Sequence, residues 1–165
     1  MISTRDLSAS LETLFAELAH GAPPHGAYVL NGGDTGLLKG LDVITAEVAS
    51  KNALGGATIA AHVAHLQYGL SLMNAWAAQG GNPFATADWT RAWRVSKVTE
   101  DEWTELRNGL RTEADVWRKV LSQPREVMPV ELNGMIGSIA HLAYHLGALR
   151  QIEPRLRGPQ ESASS

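Results

Sequence analysis

Residues 134–153 read GMIGSIAHLAYHLGALRQIE. This stretch decides the fold, because its apolar positions recur at the spacing of a helix and nothing in it alternates as a strand would. Pro154 stops it. Within it His141 and His145 stand four residues apart. On an α-helix, residues i and i+4 share a face, with Cβ atoms about 5–6 Å apart. Both imidazoles can therefore reach one cation at Zn–N distances of about 2.0–2.1 Å. At 100° per residue, Gly134, Gly137, Ala148 and Ile152 fall on the same face and Tyr144 borders it. Small residues there let helices approach closely or leave space for a ligand.

A second stretch has the same character. Thr58 precedes an apolar, helix-patterned run to about Gln79, closed by Gly80-Gly81-Asn82-Pro83. His65 lies in it on an inward face, with Tyr68, Gly69, Leu72 and Trp76 within about 60° and His62 about 60° away. If the two helices pack side by side, His65 supplies a third ligand and leaves a coordination position open, as catalytic metal sites do. A buried imidazole without a partner costs about 1–3 kcal/mol. A lone buried histidine usually meets this with a hydrogen bond, whereas a pair joined by a third points to a metal. HxxxH is unspecific by itself, and Leu142 stands where the zincin motif has its glutamate base.

The remaining chain is helical in pattern too. Residues 4–20 place Leu7, Leu11, Leu14, Phe15 and Leu18 at helical spacing, ended by Gly21 and Pro23-Pro24. Residues 21–33 read as a loop. Asp34 or Thr35 caps a shorter helix through about Ser50, with a strand as the alternative over the β-branched Val43-Ile44-Thr45. Asn52 to Gly56 is a break. Asp88 caps a short element from Trp89 to Arg94, and Thr99 with Glu102 forms a capping box for a helix to about Leu121. Pro124 and Pro129 bracket a loop before the last helix, which begins near Gly134. Four substantial helices with one or two short extra ones imply an all-α bundle. Residues 1–157 form one domain, and 158–165 a polar tail that frays.

Composition narrows the function. The chain has 165 residues, enough for one core, 44% of them hydrophobic and 19% charged. A net charge of −3 offers no field for nucleic acid or an anionic membrane. Five tryptophans suggest base stacking, but acids follow closely on Arg91, Arg94 and Lys97, so core packing, or a lip over the site from Trp89 and Trp93, is the better reading. There is no cysteine, which excludes disulfides, thiolate ligands and a cysteine nucleophile. No signal region and no apolar run near 18 residues is present, so the cytoplasm is the expected location. His20 and His25 are expected to face solvent.

The stretches TIAAHVAHL (58–66) and HLAYHLGALRQ (141–151) resemble the second-helix and last-helix motifs of the DinB/YfiT-like superfamily. The likeness covers most of the chain in helix order. It implies a four-helix bundle, often a homodimer, with a divalent metal held by three histidines, here His65, His141 and His145. His62 is not a standard position of that pattern. The segment Gly26–Lys51 departs from it as an insertion that bears on the shape of the site entrance.

Zinc or nickel suits three imidazoles best, with iron and copper also compatible. The superfamily includes thiol-dependent S-transferases and a thiol-dependent isomerase. The implied function is thus metal-dependent chemistry on a small-molecule substrate, with a low-molecular-weight thiol as a candidate cofactor. No carboxylate lies on the inward face of either motif helix, which favours thiol or carbonyl activation over hydrolysis. Gln67, Tyr68, Tyr144, Arg150 and Gln151 are candidates for polar contacts around the site, Arg150 for an anionic substrate or cofactor. The alternative is a non-catalytic metal-binding or ligand-sensing bundle. It requires a fourth protein ligand, for which His62 is placed, and no pocket.

Overall fold

The Ala61 N–H donates to Thr58 Oγ1 at 3.2 Å, and this cap opens the most buried of the long helices. The computed structural model describes residues 3–52 and 55–160 and is all-helical, with no strand among the described residues. In chain order the α-helices are α1 (Thr4–His20), α2 (Gly36–Leu41), α3 (Ala46–Ala49), α4 (Ile59–Gln79), α5 (Trp89–Trp93), α6 (Glu100–Leu121) and α7 (Pro129–Ile152). Two 3₁₀ turns lie at Pro83–Thr86 and Pro154–Leu156.

The long helices α1, α4, α6 and α7 enclose one core. α1 packs against α6 and α7, and α4 packs against the same two from the other side. Between them lie Phe15, Leu18, Ile59, Val63, Leu66, Trp103, Leu110, Trp117 and Leu149, all essentially withdrawn from water. The Trp117 Nε1–H donates to Ser138 Oγ, so this indole ties α6 to α7 without leaving a buried donor idle.

The ends of α1, α4 and α6 fall where capping chemistry places them. Ser3 and Asp6 make a reciprocal box at the start of α1, as Thr99 and Glu102 do for α6. Two boundaries differ from the sequence reading. The helix expected from residues 34–35 to about Ser50 is split into α2 and α3, and Val43-Ile44-Thr45 is neither helix nor strand. The reason is tertiary: the Ile44 carbonyl accepts the Trp103 Nε1–H at 2.6 Å, and Thr45 then caps α3 by accepting the Val48 N–H. The last helix starts at Pro129 rather than near Gly134, because proline at the first helical position loses no hydrogen bond.

Residues 22–35 form a loop closed on itself. Gly21 has φ 115°, and a Cβ there would meet the Asp34 carbonyl oxygen at 2.6 Å, so the close approach demands glycine. The buried Glu17 carboxylate accepts the N–H groups of Tyr28, Val29 and Leu30 at 2.9, 2.7 and 2.6 Å. Of the expected break at Asn52–Gly56, residues 53 and 54 lie outside the described residues, as do residues 161–165 of the expected tail. The start of that tail is tied down at Pro159, whose carbonyl accepts from the Asn31 amide, and just before it the Arg157 side chain donates to the Arg150 carbonyl. No helix of the described residues is long and apolar enough to cross a membrane.

Candidate metal centre

α4 and α7 lie side by side and present histidines to each other. His65 Nε2 stands 3.0 Å from His141 Nε2, which stands 2.9 Å from His145 Nε2. The three ligand atoms form a group in which each lies within 4.8 Å of the others, and this group could hold a metal ion.

The chemistry of the three nitrogens fits a cation better than hydrogen bonds. A neutral imidazole nitrogen is either a donor or an acceptor. His141 Nε2 faces two other nitrogens, so a single proton or a single lone pair serves both contacts poorly. A divalent ion accepts three lone pairs at once, and two tetrahedral ligands on zinc sit roughly 3.3 Å apart, only a few tenths of an ångström wider than here. Burial also favours the neutral imidazoles that a cation would require. Burial lowers the His65 pKa to about 4 and the His145 pKa to about 3, with smaller contributions from neighbouring histidines, and burial lowers that of His141 as well.

His62 is placed differently. Its Nδ1 meets His145 Nδ1 at 2.8 Å, on the side of the ring away from the converging nitrogens. If a cation takes the His145 Nε2 lone pair, the ring proton lies on Nδ1 and would be donated to His62. His62 is thus placed to set the tautomer and orientation of the His145 ring.

Tryptophans from α5 cover the cluster. Trp93 stacks on His65 with centroids 4.4 Å apart and planes at 26°, and Trp89 lies 5.3 Å from the same ring. The expected lip is present. Asp88 caps α5 by accepting the Thr90 and Arg91 N–H groups, and Tyr68 Oη accepts the Asp88 N–H, so α4 itself holds the start of the lip.

Beside His141 the structure opens an apolar cavity of about 260 Å³. Leu66, Leu70 and Met73 of α4, Leu142 of α7 and the rings of Phe84 and Trp89 form its walls. Three helix-interior glycines hollow it out: Gly69, Gly134 and Gly137. None has a positive φ, so conformation does not call for glycine. Each costs about 0.8–1.0 kcal/mol of helix stability relative to alanine. A Cβ on Gly137 would meet nothing, and one on Gly69 would only touch Trp89 and His141, at 3.7 and 3.9 Å. Gly134 is tighter, at 3.0 Å from Trp76.

The other polar candidates take other partners. Arg150 donates to both carboxylate oxygens of buried Asp34, at 2.8 and 2.7 Å, so its charge is neutralised by the loop after α1. Tyr144 is 71% exposed and lies edge-on to His145 at 5.2 Å. Gln67 packs against Gly109 of α6, and Gln151 is exposed. His20 is at the surface near Asp115, and His25 is exposed. Sequence reasoning missed the Asp34–Arg150 pair, for which no local signal exists across 116 residues. The cavity matches the space for a ligand that the small residues of the inward faces allowed, and Gly69 in a helix interior was a further cue.

No family model, curated protein or solved structure matches the chain.

Proposed function

We propose that this chain is a divalent-metal-dependent enzyme of the DinB/YfiT-like superfamily, a four-helix bundle acting on a small molecule with a low-molecular-weight thiol as partner in a transfer or isomerisation. The observation that carries this reading is the convergence of three neutral Nε2 atoms from α4 and α7 beside an apolar cavity. His65, His141 and His145 would hold zinc or nickel. When bound, the ion would supply Lewis-acid activation of a sulfur or oxygen donor.

The chain's own residues do the rest. His62 orients His145 through the Nδ1 contact. Trp89 and Trp93 keep water off one side of His65. The donor set holds no carboxylate, which supports thiol or carbonyl activation over hydrolysis. The rival reading, a metal that merely staples two helices, calls for a fourth protein ligand and no pocket. His62 is spent on His145 instead, and a pocket adjoins His141.

The test is metal content. Protein purified without a polyhistidine tag and loaded with zinc should retain about one ion per chain. His65→Ala should lose it while keeping its helical circular dichroism. A wild-type protein that retains no metal, or a variant that retains it fully, overturns the centre. Transfer assays with several thiols then address the reaction.

A further inference from the structure

We propose that the substrate of this centre carries a compact apolar body, on the scale of a substituted aromatic ring, and seats it in the cavity between α4 and α7 with its donor atom turned towards His141. The inference deepens the metal reading: it relies on the ion for the head of the molecule and on the cavity alone for its body.

The polar inventory of the wall decides the class. Among the described residues that line the cavity, polar side-chain groups come only from Ser138, His141 and the indole N–H of Trp89. Ser138 Oγ already accepts from Trp117 Nε1 at 2.9 Å and donates to the Met135 carbonyl at 2.7 Å. His141 is turned to the other two histidines. A hydroxylated, charged or peptide-like body would therefore lose its hydration and find at most one indole N–H in return. An apolar body loses nothing and gains the hydrophobic term. Size agrees: an engineered cavity of about 150 Å³ lined by aliphatic and aromatic side chains binds benzene, so about 260 Å³ takes a ring with substituents. The stacked rings of Phe84 and Trp89, 5.9 Å apart and within 15° of parallel, give the wall a flat aromatic face. Gly137, solvent-exposed at the rim, leaves the way in open.

The experiment uses cobalt(II)-loaded protein, whose visible spectrum reports a new ligand, titrated with imidazole and with 4-phenylimidazole. The two share a donor and differ by one ring. The phenyl derivative should bind at least about tenfold tighter. Gly137→Leu fills the cavity and should abolish that preference. Gly69→Ala, whose Cβ makes only ordinary contacts, should reduce it and carries the test if the leucine variant does not fold. Equal affinity of the two probes, or a preference unchanged in both variants, overturns the proposal while leaving the metal centre standing. If the protein binds no metal, the centre falls, and the cavity is judged by toluene binding to metal-free protein in saturation-transfer NMR. Toluene binding that is lost in the filled variant upholds the apolar site, and absence of binding overturns it.

Discussion

His62 and His145 meet through their Nδ1 atoms at 2.8 Å, one histidine holding the back of another whose front faces the cluster. The pair spans α4 and α7, so it also aligns the two helices that bring the three Nε2 atoms together. Removing His62 should leave a full metal stoichiometry but weaken the affinity by about 10–100-fold, the usual effect of losing an outer partner of a ligand. His62→Asn, which retains a hydrogen-bond acceptor, should recover part of it. Competition with a chromophoric chelator measures both. An affinity unchanged in His62→Ala would show that the contact orients nothing.

The metal-free protein should lose stability as the pH falls. Burial lowers the pKa values of His65 to about 4 and of His145 to about 3, whereas the unfolded chain titrates near 6.5. Below pH 6.5 the unfolded state therefore binds more protons than the folded one, and stability declines until the folded pKa values are passed. From pH 7 to pH 5 the loss should be about 2–4 kcal/mol by urea denaturation in the presence of chelator. His65→Ala and His145→Ala should each flatten the slope. A flat profile in the wild-type chain would mean that the imidazoles are not desolvated as described.

Breaking the Asp34–Arg150 pair by removing one partner should be costly. Arg150 Nη2 donates to both Asp34 oxygens, and the carboxylate is 2% exposed. Asp34→Ala strands a partly buried guanidinium and should destabilise by about 3–5 kcal/mol. Adding Arg150→Met should return a large share, because it removes the uncompensated charge. Thermal and urea midpoints of the two single variants and the double variant give the coupling directly.

The centre should discriminate among cations by type. Three imidazole nitrogens and no carboxylate suit zinc, nickel, cobalt and copper. Calcium and magnesium, which seek oxygen, should not compete for it at millimolar excess. Because Trp93 stacks on His65, nickel(II) should quench the intrinsic fluorescence, and Trp93→Phe should remove part of that quenching. Quenching unaltered in the variant would place the bound ion elsewhere.

What the sequence could reveal follows the range of the interactions. α1 and α4 run where the hydrophobic spacing and the glycines at residues 21 and 80 placed them, because caps and periodicity are local. The alignment of His65 with the HxxxH pair was legible for the same reason: each histidine's face is set by its own helix. The break between α2 and α3 was not, since it depends on an indole 59 residues further along claiming the Ile44 carbonyl. Pro129 was read as loop, although proline is equally at home at a helix start. His62 could be placed on its helix but not assigned, because its partner sits 83 residues away. The glycines of the inward faces were visible, but whether they served close approach or empty space was undecided. Gly134 does the first, and Gly137 the second.

Glu17 gathers three consecutive N–H groups of the loop onto a helix whose other face is in the core. That single anion makes the loop and the first helix one inheritable unit. A chimera that swaps residues 22–35 alone would arrive without its anchor, whereas exchanging residues 3–35 together would transplant the surface with the fixture that shapes it.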